Sequence, residues 1–286
     1  MMKKFLCIFI IALFLLACKS ETKKEPAETQ ELTETALIED IDLSFEEQLD
    51  QSPRHHEWIT LESNGDELYT FVAYPESSDN AKAVIVIHEN RGLNEWARYF
   101  VDILASEGFI VLAPDLLSNF EEGIKKTTEF ENSDAAREAI YALNADDVTA
   151  DLNTVYDYAK NLDAASGEVA VVGFCWGGSQ TFRYATNNAK ISSANVFYGT
   201  APDDALKLKS ITVPIYGYYG GNDNRVNATI PRTDSIMQAA GLTYEYEIYD
   251  GAGHAFMRRG AEPDSDQANK EAHDKAWQLL LDKLHN

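Results

Sequence analysis

Apolar positions along this chain come in two alternating rhythms. Leu68–Tyr74 and Ala83–His88 are strand-length apolar runs, and the second has almost no polar interruption, as expected of a strand buried on both faces. A helical period follows over 96–107 and stops at Gly108, a common helix end, before a short apolar strand at Phe109–Ala113 closed by Pro114. Helical spacing returns at 134–144 and 147–162. Beyond these the pattern predicts a strand at 168–173, a helix at 176–187, strands at 193–198 and 213–219, a helix at 230–240, a strand at 243–249 and a last helix at 266–284. Strands alternating with helices at this spacing predict an α/β fold, a doubly wound and mostly parallel sheet flanked by helices. With no internal repeat and no second linker, 51–286 reads as one domain.

The N-terminus has a different character. Lys3 and Lys4 precede an apolar run from Phe5 to Leu16, shorter than the roughly 20 residues that a spanning helix needs. This is the build of an export signal, 1–17, and Leu15-Leu16-Ala17-Cys18 resembles a bacterial lipobox. The resemblance implies cleavage before Cys18, lipidation of its sulfur and anchoring to a membrane in the cell envelope, with Lys19 favouring the outer membrane in a Gram-negative host. From Lys19 to Asp50 three Lys stand against eleven Asp or Glu, a local net of -8, so 18–50 reads as a solvated acidic tether.

Over all 286 residues, 24 Lys and Arg oppose 47 Asp and Glu, a formal net charge of -23. Such an excess repels phosphate backbones and argues against nucleic acid as a partner. Of the three cysteines, Cys7 leaves with the signal and Cys18 becomes a thioether, so Cys175 is expected to be the lone free thiol of the mature chain. No His or Cys cluster has metal-ligand spacing and no glycine-rich phosphate loop follows the first strand, so neither metal nor nucleotide cofactor is expected. A monomer is favoured.

The chemistry concentrates around that thiol. The strand Val169–Val172 runs into Gly173-Phe174-Cys175-Trp176-Gly177 and then into a helical pattern, which is a nucleophile elbow with Cys in place of Ser. The glycines permit close strand–helix contact, and the turn points the sulfur outward near a helix N-terminus whose dipole favours a thiolate, so Cys175 is expected to act as an ion pair with His254. An elbow nucleophile needs a base oriented by an acid, and these follow it in the order nucleophile, acid, His. Asp223 lies on Gly220-Gly221-Asn222-Asp223 after one strand, and His254 on Gly251-Ala252-Gly253-His254 after the next. His55, His56 and His285 lie at the domain edges, His273 sits on a polar helix face, and Asp234 and Asp250 lack the loop context of Asp223.

These segments, with Val84-Ile-Val-Ile-His-Glu89-Asn-Arg-Gly-Leu-Asn94 and Ala113-Pro114-Asp115-Leu116, make residues from about 57 to 284 resemble the dienelactone hydrolase family of α/β-hydrolases. The resemblance implies an α/β-hydrolase fold and further roles. Glu89 would pair with the resting thiol, the backbone N–H groups of Trp176 and Asn90 would form an oxyanion hole, and Arg258 would grip a substrate carboxylate. Arg137 is a weaker match for a second such arginine, while Arg91 and Arg259 read as surface charges.

The expected activity is hydrolysis of a small ester or lactone by a Cys175–His254–Asp223 triad through a thioester, and the Arg258 match implies a carboxylate on the substrate. Amides fit less well, because a thiolate leaves more readily than an amine anion. The alternatives are a carboxylesterase acting on sugar or plant-derived esters, a thiol peroxide sensor, and a non-catalytic surface lipoprotein. Trp176 is the one tryptophan expected at the site, with Trp58, Trp96 and Trp277 in core or interface. Loops 117–133 and 199–212 are expected to shape the pocket.

Overall fold

The computed structural model describes residues 43–76 and 80–286, so the signal segment, Cys18 and most of the acidic tether lie outside the described residues. The strands are β1 (His56–Ser63), β2 (Asp66–Ala73), β3 (Ala81–Ile87), β4 (Ile110–Pro114), β5 (Ala165–Phe174), β6 (Ala194–Phe197), β7 (Ile215–Gly220) and β8 (Tyr244–Tyr249). Among the described residues they form one eight-stranded sheet in the order β1-β2-β4-β3-β5-β6-β7-β8. β1 and β2 are antiparallel to their neighbours, and every pair from β4 to β8 is parallel.

Ten α-helices are described: α1 (Phe45–Asp50), α2 (Glu95–Ala105), α3 (Ser133–Ala142), α4 (Ala145–Lys160), α5 (Trp176–Asn187), α6 (Ala205–Lys209), α7 (Asn224–Asn227), α8 (Ile230–Ala239), α9 (Phe256–Gly260) and α10 (Gln267–His285). The central strands alternate between two cores. Val84 and Val86 of β3 and Val172 and Phe174 of β5 pack with α2 and α10 on one face. Ile85, Ile87, Val169 and Val171 pack with α4 and α5 on the other. The expected doubly wound, mostly parallel sheet is therefore the one that forms, with few polar positions in its inner strands because both faces are covered.

Elements additional to those the periodicity predicts are the short helices α6, α7 and α9, which follow strand ends, and two near the start of the described chain. β1 is an edge strand of mixed polarity, His56 to Ser63, and its half-exposed faces give no apolar run. It pairs with β2 across Asn64-Gly65, both at positive φ, 54° and 90°. Those angles are those of a two-residue type I′ hairpin, for which Asn-Gly is the preferred pair. The other is α1, capped by Ser44, whose hydroxyl accepts from the Glu47 N–H while the Glu47 carboxylate accepts from the Ser44 N–H. Leu49 is buried, the Phe45 ring lies 5.1 Å from Tyr99, and Glu46 pairs with Arg98. Packing thus reaches back beyond residue 51 into the acidic stretch, because an i, i+4 apolar pair covers α2 without a longer pattern.

The winding reverses between β3 and β5, which leave the sheet side by side with their C-terminal ends together. Such a switch point is where open α/β sheets form their ligand crevices.

Candidate active site

Cys175 sits between the last residue of β5 and the first of α5 with φ 55° and ψ -113°. This left-handed backbone is costly for a non-glycine residue, on the order of 1–3 kcal/mol. Its neighbours hold it there. The Cys175 N–H donates to the Phe197 carbonyl at 3.0 Å, and its own carbonyl accepts from the Ser179 N–H at 3.1 Å. A Cβ at Gly173 would lie 2.3 Å from the Gly177 carbonyl oxygen, and one at Gly177 would lie 2.3 Å from the carbonyl oxygens of Ile87 and His88. Only glycine lets the helix start this close to both strand ends.

Asp223 and His254 come from the loops after β7 and β8. One Asp223 oxygen caps α7 by accepting from the Val226 N–H, while the other lies 2.5 Å from His254 Nδ1. His254 Nε2 is 3.1 Å from Cys175 Sγ. The Tyr198 ring stands edge-on to the imidazole at 5.0 Å and limits its rotation. Three residues 79 and 31 positions apart thus form one hydrogen-bonded line.

The sulfur's surroundings disfavour charge, against the thiolate expected from the helix N-terminus, because burial outweighs the helix dipole. Burial pushes the Cys175 thiol up to about 11, with the negative charge of Glu89 as the second cause. The backbone N–H groups of Trp176 and Asn90 oppose this, as does the positive charge of Arg225. Glu89 is itself buried, which raises its carboxyl, while Arg258 and His254 oppose the rise. One Glu89 oxygen lies 3.5 Å from Arg258 Nε and the other has no hydrogen-bond partner. The thiol is turned to His254 and the glutamate to Arg258, so the thiol–glutamate pairing implied by the family resemblance is not the arrangement adopted here.

This line of side chains opens into a cavity of about 880 Å³ between the β3–α2 loop, α3 and the loops bearing His254 and Asp223. Arg258 lines it, with Nη1 2.5 Å from Glu262. Arg137 is not among the lining residues. On α3 the buried positions are Ala136, Ala139 and Ile140, and Arg137 points outward with its guanidinium 5.7 Å from the Tyr141 ring centre. Ser133 and Tyr141, one turn before and after Arg137 on the same face of α3, do line the cavity, so the expected second arginine borders lining residues without being one of them. Arg91, Arg225 and Arg259 line the cavity instead. Arg225 is not singled out by sequence pattern, although its place two residues after Asp223 on the same loop was a usable signal.

The Trp176 ring lies outside the cavity, stacked on His88 at 5.8 Å, whereas the buried Trp96 contributes to the lining. Of the two loops expected to shape the pocket, the first supplies Thr127, Thr128, Phe130 and Asn132. The second supplies no lining residue and borders a separate depression at Thr200–Asp204.

Fold and site together define an α/β-hydrolase with a cysteine at the elbow. The dienelactone hydrolase family model matches residues 68–286, and the chain belongs to that family. An Escherichia coli K12 protein named "Putative carboxymethylenebutenolidase" is 30% identical over 79% of this chain and 84% of its own. The carboxymethylenebutenolidase of Pseudomonas sp. strain P51 is 28% identical over 69% and 83%. The crystal structure of a Klebsiella pneumoniae protein named "Putative Dienelactone Hydrolase" superposes with a TM-score of 0.71 at 24% identity, covering 82% of this chain and 99% of that one. The chain is a hydrolase of lactone or ester bonds.

The charge of Glu89 at the sulfur has a measurable consequence. Glu89→Gln removes a cause of the raised thiol, so its ionisation should move to lower pH and alkylation by iodoacetamide at pH 8 should accelerate about three- to tenfold. A rate against pH curve left in place or moved upward would show that Glu89 carries no charge at the sulfur.

Proposed function

We propose that this chain hydrolyses a small carboxylate-bearing ester or lactone through a Cys175–His254–Asp223 triad and a thioester intermediate. The observation that carries this reading is the line from Sγ to Nε2 at 3.1 Å and from Nδ1 to Oδ2 at 2.5 Å, mounted on a strained elbow.

The chemistry follows from that line. His254 Nε2 takes the thiol proton as the sulfur forms its bond to the substrate carbonyl carbon. Asp223 holds the proton on Nδ1 and stabilises the imidazolium. The negative charge moves onto the carbonyl oxygen, where the N–H groups of Trp176 and Asn90 receive it. Collapse breaks the carbon–oxygen ester bond, and His254 returns its proton to the departing oxygen, which in a lactone stays tethered to the acyl group. Water, deprotonated by His254, then attacks the thioester, and the sulfur leaves. A thiol held at about 11 is chiefly protonated at neutral pH until the base takes its proton, which favours this sequence over a peroxide-sensing role needing a standing thiolate.

The cavity wall supports the anionic substrate. Four of the chain's nine arginines line it and none of the described lysines does, within a protein of net charge -23. Guanidinium groups suit bidentate capture of a carboxylate. Arg258, beside the triad, is the arginine proposed to exchange its Glu89 contact for substrate. The same reading carries the N-terminal expectation: cleavage before Cys18 and lipidation there would hold the enzyme at the cell envelope, on the outer membrane in a Gram-negative host.

With short aryl esters and an unsaturated lactone, Cys175→Ala and His254→Ala should each lower kcat/KM by at least about 10³, and mass spectrometry of quenched wild-type enzyme should find the acyl group on Cys175. Turnover surviving in Cys175→Ala would reject the thioester. Arg258→Ala should raise KM about tenfold for esters carrying a carboxylate and under about twofold for neutral ones, and equal changes would remove its binding role. In cells, Cys18→Ser should move the protein from the membrane to the soluble fraction; unchanged fractionation would sink the anchor.

A further inference from the structure

His88, fully buried at the end of β3, makes two hydrogen bonds to backbone groups that cannot exchange roles. Its Nδ1 lies 2.8 Å from the Glu89 carbonyl oxygen, which can only accept, and its Nε2 lies 3.3 Å from the Leu116 N–H, which can only donate. The ring is therefore neutral with its proton on Nδ1, and burial lowers its basicity in the same sense.

The carbonyl that His88 serves is one end of the Glu89–Asn90 peptide group. The other end is the N–H of Asn90, a residue that lines the same cavity as Cys175 and whose N–H favours the ionised sulfur. A trans peptide is rigid, so fixing its oxygen fixes the direction of its N–H across the same plane. A bond donated to the oxygen also polarises the group and strengthens the N–H as a donor. The opposite face of the imidazole stacks on the Trp176 ring, 5.8 Å between centres and 15° from parallel, and Trp176 carries the second N–H.

The far end of the loop is clamped independently. Buried Asp115 accepts from the Thr127 N–H and hydroxyl, each at 2.7 Å, and the Thr127 oxygen accepts from the Leu93 N–H at 3.0 Å. With that end fixed, the remaining freedom of Glu89–Asn90 is rotation of its peptide plane; the Gly92 N–H donates to the same oxygen at 3.3 Å, and the shorter His88 bond adds the stronger restraint on that rotation.

We propose that His88 is a positioning residue that orients and polarises the Glu89–Asn90 peptide group, so that the Asn90 N–H meets the oxyanion as it forms. The inference rests on the thioester reading above. His88 touches no reacting atom and acts only through the peptide.

The test compares turnover of an aryl ester with alkylation of Cys175 by iodoacetamide, a displacement at saturated carbon that develops no oxyanion, taken as the limiting rate of the ionised thiol from its rate against pH curve because the Asn90 N–H also bears on that ionisation. His88→Phe keeps a ring against Trp176 and removes the donor. It should lower kcat at least about tenfold, with KM within about twofold and alkylation within about threefold of wild type. His88→Asn places an amide donor where Nδ1 stood and should recover most of the loss. His88→Gln, whose amide reaches the Nε2 position, should not. The Asn and Gln pair decides the matter where His88→Phe does not fold.

Turnover in His88→Phe within about threefold of wild type overturns the proposal. So does a parallel fall in turnover and alkylation, which marks a loosened site, and so do equal activities in the Asn and Gln variants. Hydrolysis persisting in Cys175→Ala instead overturns the thioester reading, and this inference with it.

Discussion

The site depends on how closely the first turn of α5 lies against the ends of β3 and β5. Gly177 has its backbone where a Cβ would enter the carbonyls of Ile87 and His88, and Gly173 faces the same turn from the strand. That approach lets the Trp176 and Asn90 N–H groups both favour the ionised form of one sulfur, although they belong to segments far apart in the chain. It also forces Cys175 to φ 55°, a conformation sustained only because the sheet and both helical layers hold its neighbours. A looser elbow would relieve the backbone and separate the two donors.

Electrostatics then set what the sulfur can do. Burial and Glu89 suppress its ionisation, and the Trp176 and Asn90 N–H groups only partly offset them. In the proposed reaction His254 generates the attacking form, and the negative charge then passes to an oxygen assigned to the same N–H groups. The arginines divide similarly. Arg258 is engaged by Glu89 and Glu262, whereas Arg225 and Arg259 make no ion pair with a described residue. At the protein's net charge of -23 the long-range field opposes an anion, but screening over about 8 Å leaves the local guanidinium groups to govern the cavity.

The sheet also explains why the three triad members need no common segment. Each follows a parallel strand, β5, β7 or β8, and parallel strands deliver their C-terminal loops to one edge. The β3–α2 loop reaches that edge through the switch point beside β5, and Asp115 with Thr127 ties its far end to the loop after β4.

Patterns confined to a few residues were readable without coordinates, because they state local backbone and burial requirements. The apolar runs at 83–88 and 168–173 specify strands covered on both faces, Gly-x-Cys-x-Gly specifies a tight strand–helix turn, and Asp223 and His254 follow it in triad order. Asn64-Gly65 was equally local and marks the hairpin that the polar alternation of β1 conceals. The placement of Arg137 against Arg225, the docking of α1 through Phe45 and Leu49, and the turning of Glu89 to Arg258 were decided only in three dimensions. Each depends on the rotation or separation of whole elements packed against one another, and no local spacing of residues encodes that quantity.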